Sequence, residues 1–258
     1  MIGHVSIVGA GPGDPELLTR KAVARMRAAD LVLYDALVDP RVLAFAKRAQ
    51  RFFVGKRAGR HAISQPAIHA LMIRAARKGK RVVRLKGGDP FVLGRGGEEA
   101  LALRAAGIPF DVVPGITSAV AAAALAGIPV THRGLASAFL VVSGHDEAAF
   151  TSAVGQLQPN GVTLVVLMGV GRSAAIACHL IDRGWARSTP AAVIVDASTP
   201  RQQTWRGRLD AIAEEGVAIE SDGPGTLVIG DVAALDLSDA IVARAFDARD
   251  GARYVSRR

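Results

Sequence analysis

The sequence predicts an α/β protein built as two αβ halves with a ligand cleft between them. Apolar, β-branched runs of strand length alternate with Ala-, Leu- and Arg-rich stretches of helical period along most of the chain. Several strand-like runs lead straight into glycine-rich turns, the edge at which open α/β sheets hold ligands. The pattern breaks at Gly127-Ile128-Pro129-Val130-Thr131-His132-Arg133-Gly134 and then resumes. These breaks divide the chain into an N-terminal αβ domain over 1–133, a C-terminal αβ domain over 134–245 and a polar tail over 246–258. With 258 residues, half of them hydrophobic, the chain suits one large or two small domains.

The first strand is read over 4–10 (Val5, Ile7, Val8). It ends in Gly9-Ala10-Gly11-Pro12-Gly13-Asp14-Pro15, with a helix expected over 16–28. Strand, glycine turn and helix together raise a dinucleotide site. The fingerprint needs a third glycine where Asp14 stands, however, and Pro12 and Pro15 stiffen the turn. A short strand at 31–35 carries Asp35 at its carboxyl end, as a site residue or as a plain turn aspartate. Residues 36–40 turn into another helix, and a strand follows at 51–54. Gly55-Lys56-Arg57-Ala58-Gly59-Arg60-His61 is then a basic, glycine-flanked loop. Ser64 caps the next helix, 64–79, whose apolar stripe is Ile68, Leu71, Met72, Ala75 and Ala76.

The stretch around which the chain is organised is Arg84-Leu85-Lys86-Gly87-Gly88-Asp89-Pro90-Phe91-Val92-Leu93-Gly94-Arg95-Gly96-Gly97-Glu98-Glu99. A β-branched run leads in and a helix over 98–106 leads out. Between them, five glycines make an open loop where a ligand can reach the backbone, and Glu98 and Glu99 suit the positive end of the following helix. Lys86, Asp89, Arg95 and Glu98 crowd this one loop, as functional loops do. A strand at 110–113 then meets Pro114-Gly115-Ile116-Thr117-Ser118-Ala119. This opens an alanine-rich helix whose first turn offers free N–H groups and two hydroxyls.

In the second half, strands are read at 139–142, 162–168, 191–195 and 226–229. Helices are read at 173–183 and near 209–214, with an extended segment over 199–207. Cys178 lies in an apolar helical pattern and is expected to be a buried, inert thiol; as the one cysteine, it allows no disulfide within the chain. The histidines show no ligand spacing, so no metal site is expected.

The net charge of +9 calls for an anionic partner, either nucleic acid or a small ligand rich in carboxylates or phosphates. Aromatic residues make up 5% of the chain and no nucleic-acid motif is present. The apolar stretch 115–130 falls short of the roughly 20 residues that span a bilayer. With no secretory leader at the start, the chain reads as soluble and cytoplasmic, with no membrane partner.

Taken in order, these motifs resemble the S-adenosylmethionine-dependent tetrapyrrole methyltransferase family, and within it the uroporphyrinogen-III C-methyltransferases. The resemblance covers 5–232. It rests on Val-Gly-Ala-Gly-Pro-Gly-Asp-Pro at Val8, Tyr-Asp-x-Leu-Val at Tyr34, Gly-Lys-Arg at Gly55, the 87–99 loop, Pro-Gly-Ile-Thr-Ser-Ala at Pro114, Gly-Ile-Pro-x-Thr-His-Arg at Gly127, Gly-His-Asp at Gly144 and Met-Gly at Met168. It implies a cofactor, S-adenosyl-L-methionine, whose methyl group passes twice to a polycarboxylate tetrapyrrole, giving precorrin-2 and S-adenosyl-L-homocysteine. That substrate accounts for basic charge without nucleic acid.

The resemblance also implies a homodimer and a cofactor site between the halves. Pro12, Gly87, Gly88, Asp89, Val92, Thr117 and Ser118 line this site from the first half, and Met168, Ala197 and Gly225 close it. Asp35 matches an active-site aspartate, Lys56 a substrate-binding lysine, and Arg95 with Glu98 a pair implicated in proton removal. An arginine with a pKa near 12.5 is a poor free base, so Arg95 is read as an anchor for a carboxylate arm held by Glu98. No dehydrogenase and chelatase module is read in the chain, so the product is expected to be handed on. A later corrin-pathway methyltransferase is the alternative within the fold.

Overall fold

A computed structural model describes residues 1–55, 63–155, 157, 161–219 and 221–237. Lys56, the rest of the basic loop up to Ala62 and the polar tail lie outside the described residues.

The first half forms a parallel sheet of five strands in the order β3-β2-β4-β1-β5. These are β1 (His4–Gly9), β2 (Leu31–Tyr34), β3 (Gln50–Phe53), β4 (Arg81–Lys86) and β5 (Phe110–Val113). Both faces are covered, which is why its strands read as near-continuous apolar runs. On one face Val8, Val32, Val83 and Leu85 pack with Ala22 and Met26 of α1 (Arg20–Ala28). On the other, Val5, Ile7, Leu33 and Val82 pack with Ile68 and Met72 of α2 (Gln65–Arg77) and Leu103 of α3 (Gly96–Ala105).

Two expected helices are shorter or tighter than the sequence suggested. The helix expected from residue 16 is a single 3₁₀ turn, Pro15–Leu17, capped by the Asp14 carboxylate; α1 starts afresh behind Thr19, whose hydroxyl accepts from the Ala22 N–H. No α-helix N-terminus therefore abuts the first glycine turn, and the arrangement that would seat a dinucleotide pyrophosphate is missing. The segment after Asp39 is likewise a 3₁₀ turn, Pro40–Phe45.

The second half forms a five-stranded sheet in the order β6-β7-β10-β8-β9. Its strands are β6 (Ala138–Ser143), β7 (Val162–Leu167), β8 (Pro190–Val195), β9 (Gln203–Arg208) and β10 (Gly225–Ile229). It does not repeat the parallel rhythm of the first half: only β6 and β7 are parallel, and β10 runs antiparallel to both β7 and β8. The segment read as extended is strand β9, antiparallel to β8.

Helix α4 (Ser118–Leu125) follows β5 in the chain but packs on the second sheet. Its Ala122 and Ala123 lie against Ala192, Ile194 and Val228. The opposite face of that sheet is covered by α5 (Glu147–Val154), α6 (Ser173–Asp182) and α7 (Leu209–Glu215). Arg206 of β9 ties the halves further, donating to the carbonyls of Ala126, Ala233 and Leu235. Helix α5 carried no clear signal in the sequence.

Cys178 corrects the expectation of a buried thiol. Helix α6 buries Ser173, Ile176, Ala177 and Leu180; Cys178, a further 100° round the helix from Ala177, is exposed. Among the described residues no helix is long and apolar enough to cross a membrane, and no cluster of side chains could hold a metal ion.

Candidate active site

The carboxyl ends of β1, β2, β4 and β5 lie at one edge of the first sheet because all four strands run the same way. The second sheet meets this edge with the ends of β7 and β8 and the start of β10, whose Thr226 and Gly225 pair with Leu167 and Val195. Between the two lies an open-mouthed cleft with about 810 Å³ of free space, part of it open solvent. Pro12, Gly87, Gly88, Asp89, Val92, Thr117 and Ser118 line it from the first half and the α4 turn; Met168, Ala197 and Gly225 line it from the second. The ten residues expected at a cofactor site thus surround one cleft. Gly11, Leu37, Leu93, Gly94, Leu167, Pro224 and Thr226 also line it. Their motif neighbours were read, but these seven were not singled out as cofactor-site residues.

Backbone dominates the cleft floor. Gly11 and Gly88 exchange N–H···O=C bonds of 3.2 and 2.7 Å, joining the first glycine turn to the long loop. A Cβ on Gly115 would stand 2.3 Å from the Gly88 carbonyl oxygen, and one on Gly9 2.6 Å from the Gly115 backbone. Gly9 and Gly115 therefore let three chain segments touch where a side chain on either would part them. The Asp89 carboxylate is engaged at both oxygens by backbone N–H groups, those of Phe91 at 2.8 Å and Gly115 at 3.0 Å. Its side chain therefore shapes the loop and ties it to the β5–α4 turn.

Among the described residues, five non-glycine residues have positive φ: Leu93, Arg95, Met168, Asp196 and Ser198. Leu93 and Met168 line the cleft, Asp196 and Ser198 flank Ala197, and Arg95 ends the long loop. Left-handed backbone costs on the order of 1–3 kcal/mol at such residues and gathers where function holds it in place. None of these residue types announces that conformation in a sequence.

The charged candidates divide into an exposed pair and a buried group. Arg95 caps α3 with its backbone while its guanidinium forms a fork on Glu98, Nε to Oε1 at 2.9 Å and Nη2 to Oε2 at 2.7 Å. Both side chains stand in solvent at the loop's end. The hydrogen bonds between them hold the Glu98 carboxyl below its ordinary range and the Arg95 guanidinium above its own. Neither lines the cleft itself.

Asp35 follows β2 and accepts a 3.1 Å bond at Oδ2 from Arg84; its Oδ1 is enclosed and unpartnered. Arg84 also donates through Nε to Glu99 Oε1 at 2.9 Å, an oxygen shared with Lys86 Nζ at 3.3 Å and Gln65 Nε2 at 3.1 Å. Burial, and then the Arg84 charge, push the Lys86 ammonium below its ordinary value against the pull of Glu99 and Asp35. Sequence reasoning placed Lys86 and Glu99 at the loop but missed the buried group they form with Arg84. The signal available was the alternation Val82, Arg84, Lys86, which puts two cations on one strand face.

The sequence profile of the tetrapyrrole (corrin/porphyrin) methylases matches residues 4–213. The chain belongs to this family. It is 44% identical over 235 residues to the uroporphyrinogen-III C-methyltransferase of Methanocaldococcus jannaschii, covering 90% of this chain and 97% of that one. It is 50% identical over 235 residues to the siroheme synthase of Neisseria meningitidis serogroup B, covering 90% of this chain; it spans 48% of that longer protein. The uroporphyrin-III C-methyltransferase of Thermus thermophilus, solved in complex with S-adenosylhomocysteine, superposes with a TM-score of 0.76 at 45% identity. That match covers 89% of this chain and 98% of the other. The sequence-based assignment to this family and fold is borne out.

The cleft fits the cofactor of such enzymes. Gly88, at φ +64, lines it beside Thr117 and Ser118, and the place of an added Cβ there is at van der Waals distance from both, 3.8 Å from the Ser118 backbone nitrogen and 4.0 Å from its hydroxyl.

Proposed function

We propose that this protein transfers two methyl groups from S-adenosyl-L-methionine to uroporphyrinogen III, giving precorrin-2 and S-adenosyl-L-homocysteine. The observation that carries the reading is the glycine-floored cleft, shared by two sheets and ringed by left-handed backbone, in a methylase-family chain. Likeness along nearly the whole length of a uroporphyrinogen-III C-methyltransferase supports the choice of substrate. So does the rim. Leu37, Leu93 and Met168 line the cleft yet stand exposed and suit the apolar face of a macrocycle, while a net charge of +9 suits its carboxylate arms.

S-adenosyl-L-methionine supplies an electrophilic methyl on sulfonium sulfur; the protein's part is to place and shield the reactants. In this reading Pro12, Gly87, Gly88, Asp89, Val92, Thr117, Ser118, Met168, Ala197 and Gly225 hold the cofactor, mostly through backbone. Asp35 accepts hydrogen bonds from pyrrole N–H groups or the proton released after methylation. Lys56 and Arg95 bind carboxylate arms, and Glu98 holds Arg95 in place. We place the division between an N-terminal domain and a cofactor-completing C-terminal domain at 133/134. The same reading makes the enzyme a cytoplasmic homodimer.

The test is anaerobic incubation of the purified protein with S-adenosyl-L-methionine and enzymatically generated uroporphyrinogen III, read by mass spectrometry. A gain of two methyl groups is the expected result. No gain by a protein that still binds S-adenosyl-L-homocysteine points to a later tetrapyrrole as substrate.

A further inference from the structure

Beneath α2 and α3, the first sheet changes character along its length. Near the amino ends of its strands this face is apolar, with Val82, Leu31 and Leu33 packed into the core. Toward the carboxyl ends, next to the cleft, the same face carries Asp35, Arg84 and Lys86, with Glu99 descending from α3. Arg84, Lys86 and Glu99 have side-chain exposures of 4, 6 and 0%. Two cations and one anion are thus gathered out of water, with the partly exposed Asp35 at their edge.

Stability does not require such a group. Desolvating paired charges offsets most of their attraction, and apolar replacements of similar volume are often neutral or stabilising. The wiring points elsewhere. Arg84 is clamped on three sides: Nε by Glu99, and Nη1 by the carbonyls of Leu85 at 3.1 Å and Leu33 at 3.5 Å. Glu99 is in turn fixed by Lys86 and Gln65. The one remaining direction of the guanidinium, Nη2, is aimed at Asp35 Oδ2. Among the described residues the Asp35 carboxylate makes no other hydrogen bond or ion pair, and its Oδ1 remains an unused acceptor.

We propose that Arg84 is a positioning residue for methyl transfer: fixed by Glu99 and Lys86, it holds the Asp35 carboxylate in its working orientation. The proposal rests on the reading of Asp35 as an active-site group. Lys86 and Glu99 act only through Arg84, and none of the three touches substrate.

The test compares Asp35→Asn, Arg84→Gln, Arg84→Lys and the Arg84→Gln/Asp35→Asn double variant. Each is measured for kcat and KM with uroporphyrinogen III and for S-adenosyl-L-homocysteine affinity by calorimetry. Loss of orientation predicts that Arg84→Gln lowers kcat about 100-fold, with KM and cofactor affinity changed less than about threefold. Arg84→Lys keeps the charge without the planar fork, and recovers part of the rate. The double variant turns over no more slowly than Asp35→Asn, because Arg84 has nothing left to position.

The proposal is overturned if Arg84→Gln keeps kcat within about threefold, or if the two losses multiply in the double variant. Failure of both Arg84 variants to bind S-adenosyl-L-homocysteine also overturns it, since Arg84 would then serve the fold. Full turnover by Asp35→Asn would instead remove the role of Asp35 itself, and that result is distinct from a loss seen with Asp35→Asn alone.

Discussion

The backbone N–H of Asp14 donates to the hydroxyl of Ser198 at 2.6 Å, joining the first glycine turn to the β8–β9 loop across the rim of the cleft. Gly13 lies close to the same loop, near the Ala197 carbonyl and Thr199. Pro12 and Ala197, neighbours of this contact, both line the cleft. Removing the hydroxyl leaves the Asp14 N–H without its partner, at a net cost of about 1 kcal/mol. Ser198→Ala is therefore expected to lower Tm by about 2–4 °C in a thermal melt, and an unchanged Tm would contradict the contact.

Gly115 meets a harder limit. Its missing Cβ would overlap both the Gly88 carbonyl and the Gly9 backbone, and no flexible side chain stands there to give way. Gly115→Ala must spread β1, the 87–95 loop and the β5–α4 turn apart. We expect a loss of about 1–3 kcal/mol in denaturant unfolding and a larger fractional loss of cofactor affinity, because the displaced segments are the cleft floor.

Much of this architecture was legible in the sequence, for identifiable reasons. Glycines crowded among charged residues at strand ends, as at Gly87, Gly88 and Gly115, have few uses other than bringing backbone to a ligand or to other backbone. The direction of the second-half strands was not legible, because an apolar run such as 162–167 reads alike in parallel and antiparallel sheets. Glu98 was singled out as the partner of Arg95, while Glu99 was read only as an acid at the helix start. The helix places them 100° apart, so one pairs with Arg95 in solvent and the other enters the core beneath α3. The left-handed residues Met168, Asp196 and Ser198 were invisible because tertiary contacts impose their conformation against residue preference.

Away from the cleft, Asp111 of β5 gathers His4, Ser6, Lys21 and Arg25 around one carboxylate. Burial alone would raise its pKa; hydrogen bonds from Ser6, Arg25 and His4, with the Arg25 charge, outweigh burial and set it well below the ordinary carboxylate range. A carboxyl whose folded pKa is depressed contributes its stability above the unfolded value near 3.8 and loses it as pH falls further. Asp111→Asn is expected to lower stability by about 1 kcal/mol at neutral pH and to flatten the fall in Tm below about pH 4. Thermal melts of both proteins across that range check it.

Cys178 stands on the outer surface of α6 and is not among the residues lining the cleft. A maleimide reagent should label it stoichiometrically in the native protein at neutral pH. Because the helix buries Ile176, Ala177 and Leu180 and leaves Cys178 outside, labelling should leave S-adenosyl-L-homocysteine affinity unchanged. A thiol that reacts only in denaturant would contradict this placement.

Arg95 separates two accounts of the exposed loop. The Glu98 fork holds its guanidinium firmly cationic, so it is a poor proton acceptor at neutral pH and a good partner for a carboxylate. Lysine at this position keeps the charge but not the planar fork that grips Glu98 and an incoming carboxylate together. An anchoring role therefore predicts that Arg95→Lys raises KM for uroporphyrinogen III about tenfold, with kcat held within about threefold. A base at this position predicts the reverse pattern, lost kcat with KM retained. Steady-state kinetics under anaerobic conditions, with cofactor affinity as the control, distinguish the two, because neither Arg95 nor Glu98 lines the cleft proposed for the cofactor.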